Sequence, residues 1–163
     1  SNGERKLLMN ELEKIEIYSK NKSKISSEEI NKLTNINENY DISELVDNCL
    51  AKNKKQIEIL MNENNFVQED LIIIIRTFLY KAKRLLNLIN DFTIQKNIEK
   101  TISSAKPPIF WKDKDIVKKQ IKSWSLDKVK KLILEINEIE FLIKTNSQNS
   151  KHILSDFIIN KSK

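Results

Sequence analysis

Glycine occurs once in this 163-residue chain, at Gly3, and proline only twice, as the adjacent pair Pro107-Pro108. That scarcity narrows the possible folds more than any other feature. Glycine supplies the positive-φ backbone of tight hairpins, and proline interrupts helices. A chain nearly lacking both is suited to long helices joined by short polar connections, so the expected fold class is all-α. Phosphate-cradling loops need several glycines and are excluded. With 39% hydrophobic residues but only 7% aromatics, the core must be mostly Ile and Leu.

The reactive inventory is equally small. There is one Cys, Cys49, and one His, His152. A zinc site takes about four Cys or His ligands, and a disulfide needs a second Cys. No cofactor, metal or redox chemistry is expected. Cys49 falls within the apolar pattern of a helix and reads as a buried, inert thiol. His152 has Asp156 four residues on, which allows a hydrogen-bonded pair on one helix face, but nothing marks a nucleophile. It reads as a surface or capping histidine. Glu135, Glu138 and Glu140 are spaced as helix-surface charges.

The net charge is +6, but 26 Lys, 26 Ile and 19 Asn together carry the stamp of an AT-rich genome, so bulk lysine content means little. The distribution means more. Residues 96–131 hold 11 Lys and 4 acids, a net of +7, and the rest of the chain balances at −1. A local positive surface is an electrostatic footprint for phosphate or an acidic partner. The longest apolar run is Leu71 to Ile75, far short of the roughly 20 residues that span a bilayer. No targeting segment is visible, so no membrane is expected and cytosol is the expected location.

Apolar spacing predicts a first helix over about 4–20, with Leu8, Leu12, Ile15 and Tyr18 on one face. Ser26 and Glu29 form a capping-box pattern opening a short helix. A loop is expected from Thr34 to Tyr40, with Ser43 capping the helix that presents Leu45, Val46, Cys49 and Leu50. Asn53 breaks it, and another helix carries Ile57, Leu60 and Met61. Polar Asn62 to Asn65 is the best internal boundary, separating regions 4–63 and 66–163. A long spine from Phe66 to Phe92 presents Leu71, Ile74, Ile75, Phe78 and Ala82, with Ile72 and Ile73 making its first turns apolar all round and hence buried. Residues 93–104 read as one short helix holding Ile94, Ile98 and Ile102. After the proline turn come a helix through Val117 and Ile121, a helix capped by Ser125, and a last helix with Leu154, Phe157 and Ile158. Residues 66–163 should form a bundle of about five helices.

The turn and the helix after it hold the candidate site. Ile109, Phe110 and Trp111 are consecutive and cannot all face one core. Trp111 is followed by Lys112, Lys114, Lys118, Lys119 and Lys122, several at helical spacing. An aromatic beside a lysine row can stack a base and neutralise phosphates, which is how proteins hold single strands. The candidate nucleic-acid contacts are Trp111, Lys112, Lys114, Lys118 and Lys119. The other reading packs Trp111 under the preceding helix and leaves the lysines as a solvated face.

These segments resemble the delta subunit of bacterial DNA polymerase III, a clamp-loader family. The residues that carry the likeness are Pro107 to Lys112, Gln120 to Ser125, Leu132 to Ile143 and Lys144-Thr145, all in its C-terminal region. Arg5 to Ile15 resembles the same family's lid helix, and Leu71 to Arg76 the start of its collar. Asn146 departs from the glycine expected after Lys-Thr, yet Asn also tolerates the left-handed backbone that ends helices. The resemblance implies a partial AAA+-type helical lid over 4–63 and a helical collar over 66–163 that assembles a five-subunit ring. It implies a non-catalytic fragment of the replicative holoenzyme, with the clamp-opening N-terminal domain absent. Its partners would be the other loader subunits, primer–template DNA, and the sliding clamp, the last mainly through that absent domain. Two rivals stand beside it: a free-standing helical nucleic-acid-binding protein, such as an RNA-binding regulator, and a small helical enzyme or effector.

Overall fold

A computed structural model of the chain describes residues 2–20, 24–26, 29, 36–64, 66–146 and 148–162. Among them are eight α-helices, one 3-10 turn and no strand. The helices are α1 (Asn2–Ser19), α2 (Ile36–Leu50), α3 (Lys54–Glu63), α4 (Gln68–Gln95), α5 (Ile98–Ser103), α6 (Lys114–Ser123), α7 (Leu126–Thr145) and α8 (Ser150–Lys161). The all-α expectation holds, and residues 66–163 carry five helices.

The chain divides into two compact units, Ser1–Asp41 and Ile42–Lys163. In the first, α1 leaves Met9, Leu12 and Ile17 exposed. Leu12 thus departs from the apolar face that its spacing suggests. The Ser26–Glu29 box forms: Ser26 N donates to Glu29 Oε2 at 3.0 Å, and Glu29 N to Ser26 Oγ at 3.2 Å. Tyr18 Oη donates to Glu29 Oε1 at 3.1 Å. Most of the short helix expected after Ser26, with Ile30 and Leu33, lies outside the described residues.

The second unit is built round α4. At 28 residues it is about 42 Å long. Leu71, Ile74, Ile75, Phe78, Ala82 and Leu85 line its buried side, in one cluster with Leu45, Val46 and Leu50 of α2. Val129, Leu132 and Ile136 of α7 and Leu154 and Ile158 of α8 complete it. Helix α7 runs antiparallel to α4: Arg76 pairs with Glu140 at 3.7 Å, and Gln68 meets Ser150, just past the end of α7. Phe78 and Phe157 meet edge to face, with centroids 5.4 Å apart.

Three expectations are corrected. Ser43 is no cap, because α2 starts at Ile36 and absorbs most of the expected loop; Ser43 Oγ instead accepts from Lys81 Nζ at 2.7 Å. Ile73 is 43% exposed, so the first turns of α4 are not buried all round. Residues 93–104 are not one helix. Helix α4 continues to Gln95, Lys96 turns left-handed at φ 50°, and Asn97 caps α5 by accepting from Lys100 N at 3.0 Å. A good cap outcompetes apolar spacing there, and Ile94 is left 81% exposed. By contacts the compact units part between Asp41 and Ile42. The polar stretch only separates α3 from α4, because Ile57 and Leu60 share the core with Phe78.

A polar network crosses this core and ties three helices. Lys81 of α4 donates to Ser43 O at 3.0 Å, to Ser43 Oγ and to the Asp47 carboxylate of α2. Gln120 of α6 donates to Asp47 O at 3.0 Å and to Asp47 Oδ1 at 3.2 Å. Trp124 Nε1, just after α6, donates to Leu50 O at 2.7 Å. These bonds orient α6 on the bundle and turn its other side outward.

Candidate nucleic-acid interface

The turn before α6 is held from beneath. Ile109 is buried, while Arg84 of α4 donates to Pro107 O at 3.1 Å and Pro108 O at 3.4 Å. Asp113 N donates to Phe110 O at 3.0 Å and closes the 3-10 turn Trp111–Asp113. With Ile109 drawn inward, its two neighbours project outward. Phe110 is 72% exposed and Trp111 71%. Trp111 therefore does not pack under the preceding helix. Lys112 Nζ lies 5.5 Å from the centroid of the Trp111 ring, a cation–π distance.

Helix α6 presents the lysines. Val117, Gln120 and Ile121 are buried, and the arc beside them carries Lys114, Lys118 and Lys122 at four-residue steps, about 40° apart. Lys114, Lys119 and Lys122 are exposed. Lys118 differs. Its ammonium sits 2.7 Å from Glu99 of α5 and 3.9 Å from Asp115. The hydrogen bond it donates to Glu99 holds its pKa above the usual lysine value. A phosphate at Lys118 must displace a carboxylate, whereas Lys112, Lys114 and Lys119 have no acidic partner among the described residues. All five sequence-predicted residues thus lie on the 3-10 turn and the first two turns of α6, with Lys118 already satisfied by Glu99.

Sequence reasoning left three contributors unassigned. Phe110 was visible as one of three consecutive apolar residues, but nothing local tells which two face out. Arg84 and Glu99 carry no local signal, since each acts across a tertiary contact.

His152 and Asp156 are both exposed. Glu140 lies between Lys144, at 2.5 Å, and Arg76; the Lys144 hydrogen bond chiefly holds its carboxyl below the usual range. Glu135 pairs with Lys161. Among the described residues no group of three or more Cys, His, Asp or Glu could hold a metal ion, and no helix is long and apolar enough to cross a membrane.

Cys49 is wholly buried, with its Sγ 3.6 Å from Ile158 O. Burial pushes the thiol up from 9.0 to about 12, with the Lys161 charge pulling weakly the other way. Above pH 9 the unfolded thiol ionises and the folded one does not, so stability is lost as pH rises towards 12. The loss is about 1.4 kcal/mol per pH unit. Cys49→Ala should lack this component. Urea midpoints at two pH values test it: the stability gap between parent and variant should narrow by about 2 kcal/mol over roughly 1.5 pH units above the unfolded pKa. A constant gap would show that the thiol does not titrate this way.

Comparison with family models, with curated proteins and with solved structures finds no match for this chain.

Proposed function

We propose that this chain is a non-catalytic, DNA-contacting subunit of a bacterial replicative clamp loader, similar to the delta subunit of DNA polymerase III. In this reading residues 66–163 serve as the collar that docks against sister subunits, and 4–63 as part of the lid. The chain binds rather than transforms. It helps load the sliding clamp for replication in the cytoplasm, and its aromatic–lysine edge meets primer–template DNA. The order of resembling segments along the chain supports the family. The observation that carries the binding role is the exposed Phe110–Trp111 pair at the head of the α6 lysine row. Two large aromatics in water are wasteful for a purely structural turn, yet suited to stacking on bases.

Capture of the remaining clamp-loader subunits by the purified chain tests the assembly role. Co-purification of a loader complex is expected, and a chain that captures none is not a loader subunit. Trp111→Ala tests the DNA role. Stacking is worth about 1–3 kcal/mol per base, so the variant should bind primer–template roughly tenfold more weakly with its melting temperature unchanged. Equal affinity would remove Trp111 from the interface.

One observation favours a second reading. The whole aromatic–lysine edge lies within the single compact unit Ile42–Lys163. A self-sufficient surface of that kind suits a stand-alone helical nucleic-acid-binding protein. Salt-sensitive binding of a strand with no affinity for loader subunits would select it.

A further inference from the structure

At the far end of α6 from Trp111, a shallow open pocket gathers lysines from three separate segments. Lys52 comes from the turn after α2, Lys128 and Lys131 from the start of α7, and Lys161 from the end of α8. Trp124 forms one wall and Glu135 is the acid on the rim. Glu135 is already paired with Lys161, which leaves Lys52, Lys128 and Lys131 without a carboxylate partner among the described residues. Lys52 Nζ instead rests 5.3 Å from the centroid of the Trp124 ring.

Two of these lysines sit unfavourably for folding. Lys128 and Lys131 are like charges three residues apart on one helix, a repulsive spacing. Lys128 also lies in the first turn of α7, the end where the helix dipole is positive and disfavours cations. Lys52, at φ 55°, is the left-handed residue that ends α2, with Asn53 N donating to Asn48 O at 2.9 Å as in a Schellman cap. Both unfavourable placements face one concavity, and a bound anion relieves them together.

The geometry points to a phosphate subsite formed by Lys52, Lys128 and Lys131, taking the phosphodiester backbone of a nucleic-acid strand that stacks on Trp111 at its other end. This rests on the nucleic-acid reading above and extends it. Helix α6 has ten residues and is about 15 Å long, with Trp111 before its start and the pocket beyond its end. Lys122, exposed near the C-terminal end of α6, continues the positive track between them. A strand of several nucleotides spans that distance, within the roughly 4–16 nucleotides that such grooves accommodate.

The test uses the full chain and labelled single strands of two lengths, about six and about 16 nucleotides. Lys128→Gln with Lys131→Gln should weaken the long strand roughly tenfold at 0.15 M salt, and lower the log–log salt slope by about 1.4. The short strand, held at the Trp111 end, should bind the double variant as well as the parent. Lys83→Gln with Lys151→Gln removes the same charge elsewhere and should leave the slope unchanged. If Trp111→Ala weakens both strands while the lysine pair alters neither affinity nor slope, the subsite is wrong and the stacking site stands. If the charge-matched control loses as much as the pocket variant, the effect is bulk charge and the subsite is again wrong. If the parent binds no strand, both readings fall. Inorganic phosphate, the other source of the same chemistry, should not raise the melting temperature of either protein. A rise confined to the parent would reassign the pocket to a free phosphate and overturn its role on a strand.

Discussion

Asp47→Ala is expected to destabilise the Ile42–Lys163 unit by about 3 kcal/mol, because it strands a largely buried ammonium. The side chains of Lys81 and Asp47 are only 16% and 24% exposed. Without the carboxylate, Lys81 Nζ keeps Ser43 O and Ser43 Oγ but no counter-charge. Gln120 also loses one of its two acceptors on Asp47. The pair itself contributes less than its removal would suggest, because taking two charges out of water offsets much of their attraction. Asp47→Leu combined with Lys81→Met should therefore recover most of the loss. Denaturant unfolding of the three variants decides the matter. A single variant as stable as the parent, or a double no better than the single, would mean that the pair is solvated. Because Gln120 and Trp124 tie α6 to α2, Asp47→Ala should also loosen the lysine row, which slower-exchanging amides of α6 in the parent would reveal.

Phe78→Ala is expected to have the larger effect, about 4 kcal/mol. Phe78 is fully buried at the middle of α4 and meets Phe157 of α8 edge to face. Truncation removes the transfer energy of the ring and leaves a cavity that long, regular helices close poorly. It also removes an aromatic contact worth roughly 1 kcal/mol. Phe157→Ala should cost less, because Phe157 retains 5% exposure. Calorimetry gives the comparison directly. A Phe78→Ala loss under about 1 kcal/mol would show that the neighbouring isoleucines collapse into the space. An apolar cavity of this kind should bind benzene, and benzene should raise the melting temperature of the variant alone.

Particular residues show where local pattern suffices. Leu45, Val46, Cys49 and Leu50, spaced for one helix face, are all buried, and the spine residues Leu71 to Leu85 follow the same rule. Ser125 caps α7 and the Ser26–Glu29 box closes, because capping needs only neighbours within one turn. Pattern fails where two local signals compete or where a distant partner decides. Ile94 has ideal spacing for burial, yet Asn97 ends the helix register first and exposes it. Ser43 is a good cap by type, but Lys81, distant in sequence, claims its oxygen. Phe110 and Trp111 could be told from Ile109 only once Arg84 and the core had set the turn.

What the amino-acid sequence determined alone is the all-α class, the helical register of the apolar stripe, and a lysine-rich segment beside two prolines. These follow from backbone freedom and from spacings of three and four, both local properties. Tertiary structure alone decided which aromatics stand in water, which lysine is matched by Glu99, and which lysines from two distant segments share a pocket without counter-charges. Those outcomes depend on burial and on Coulomb interactions across the fold, and neither is a function of neighbours along the chain.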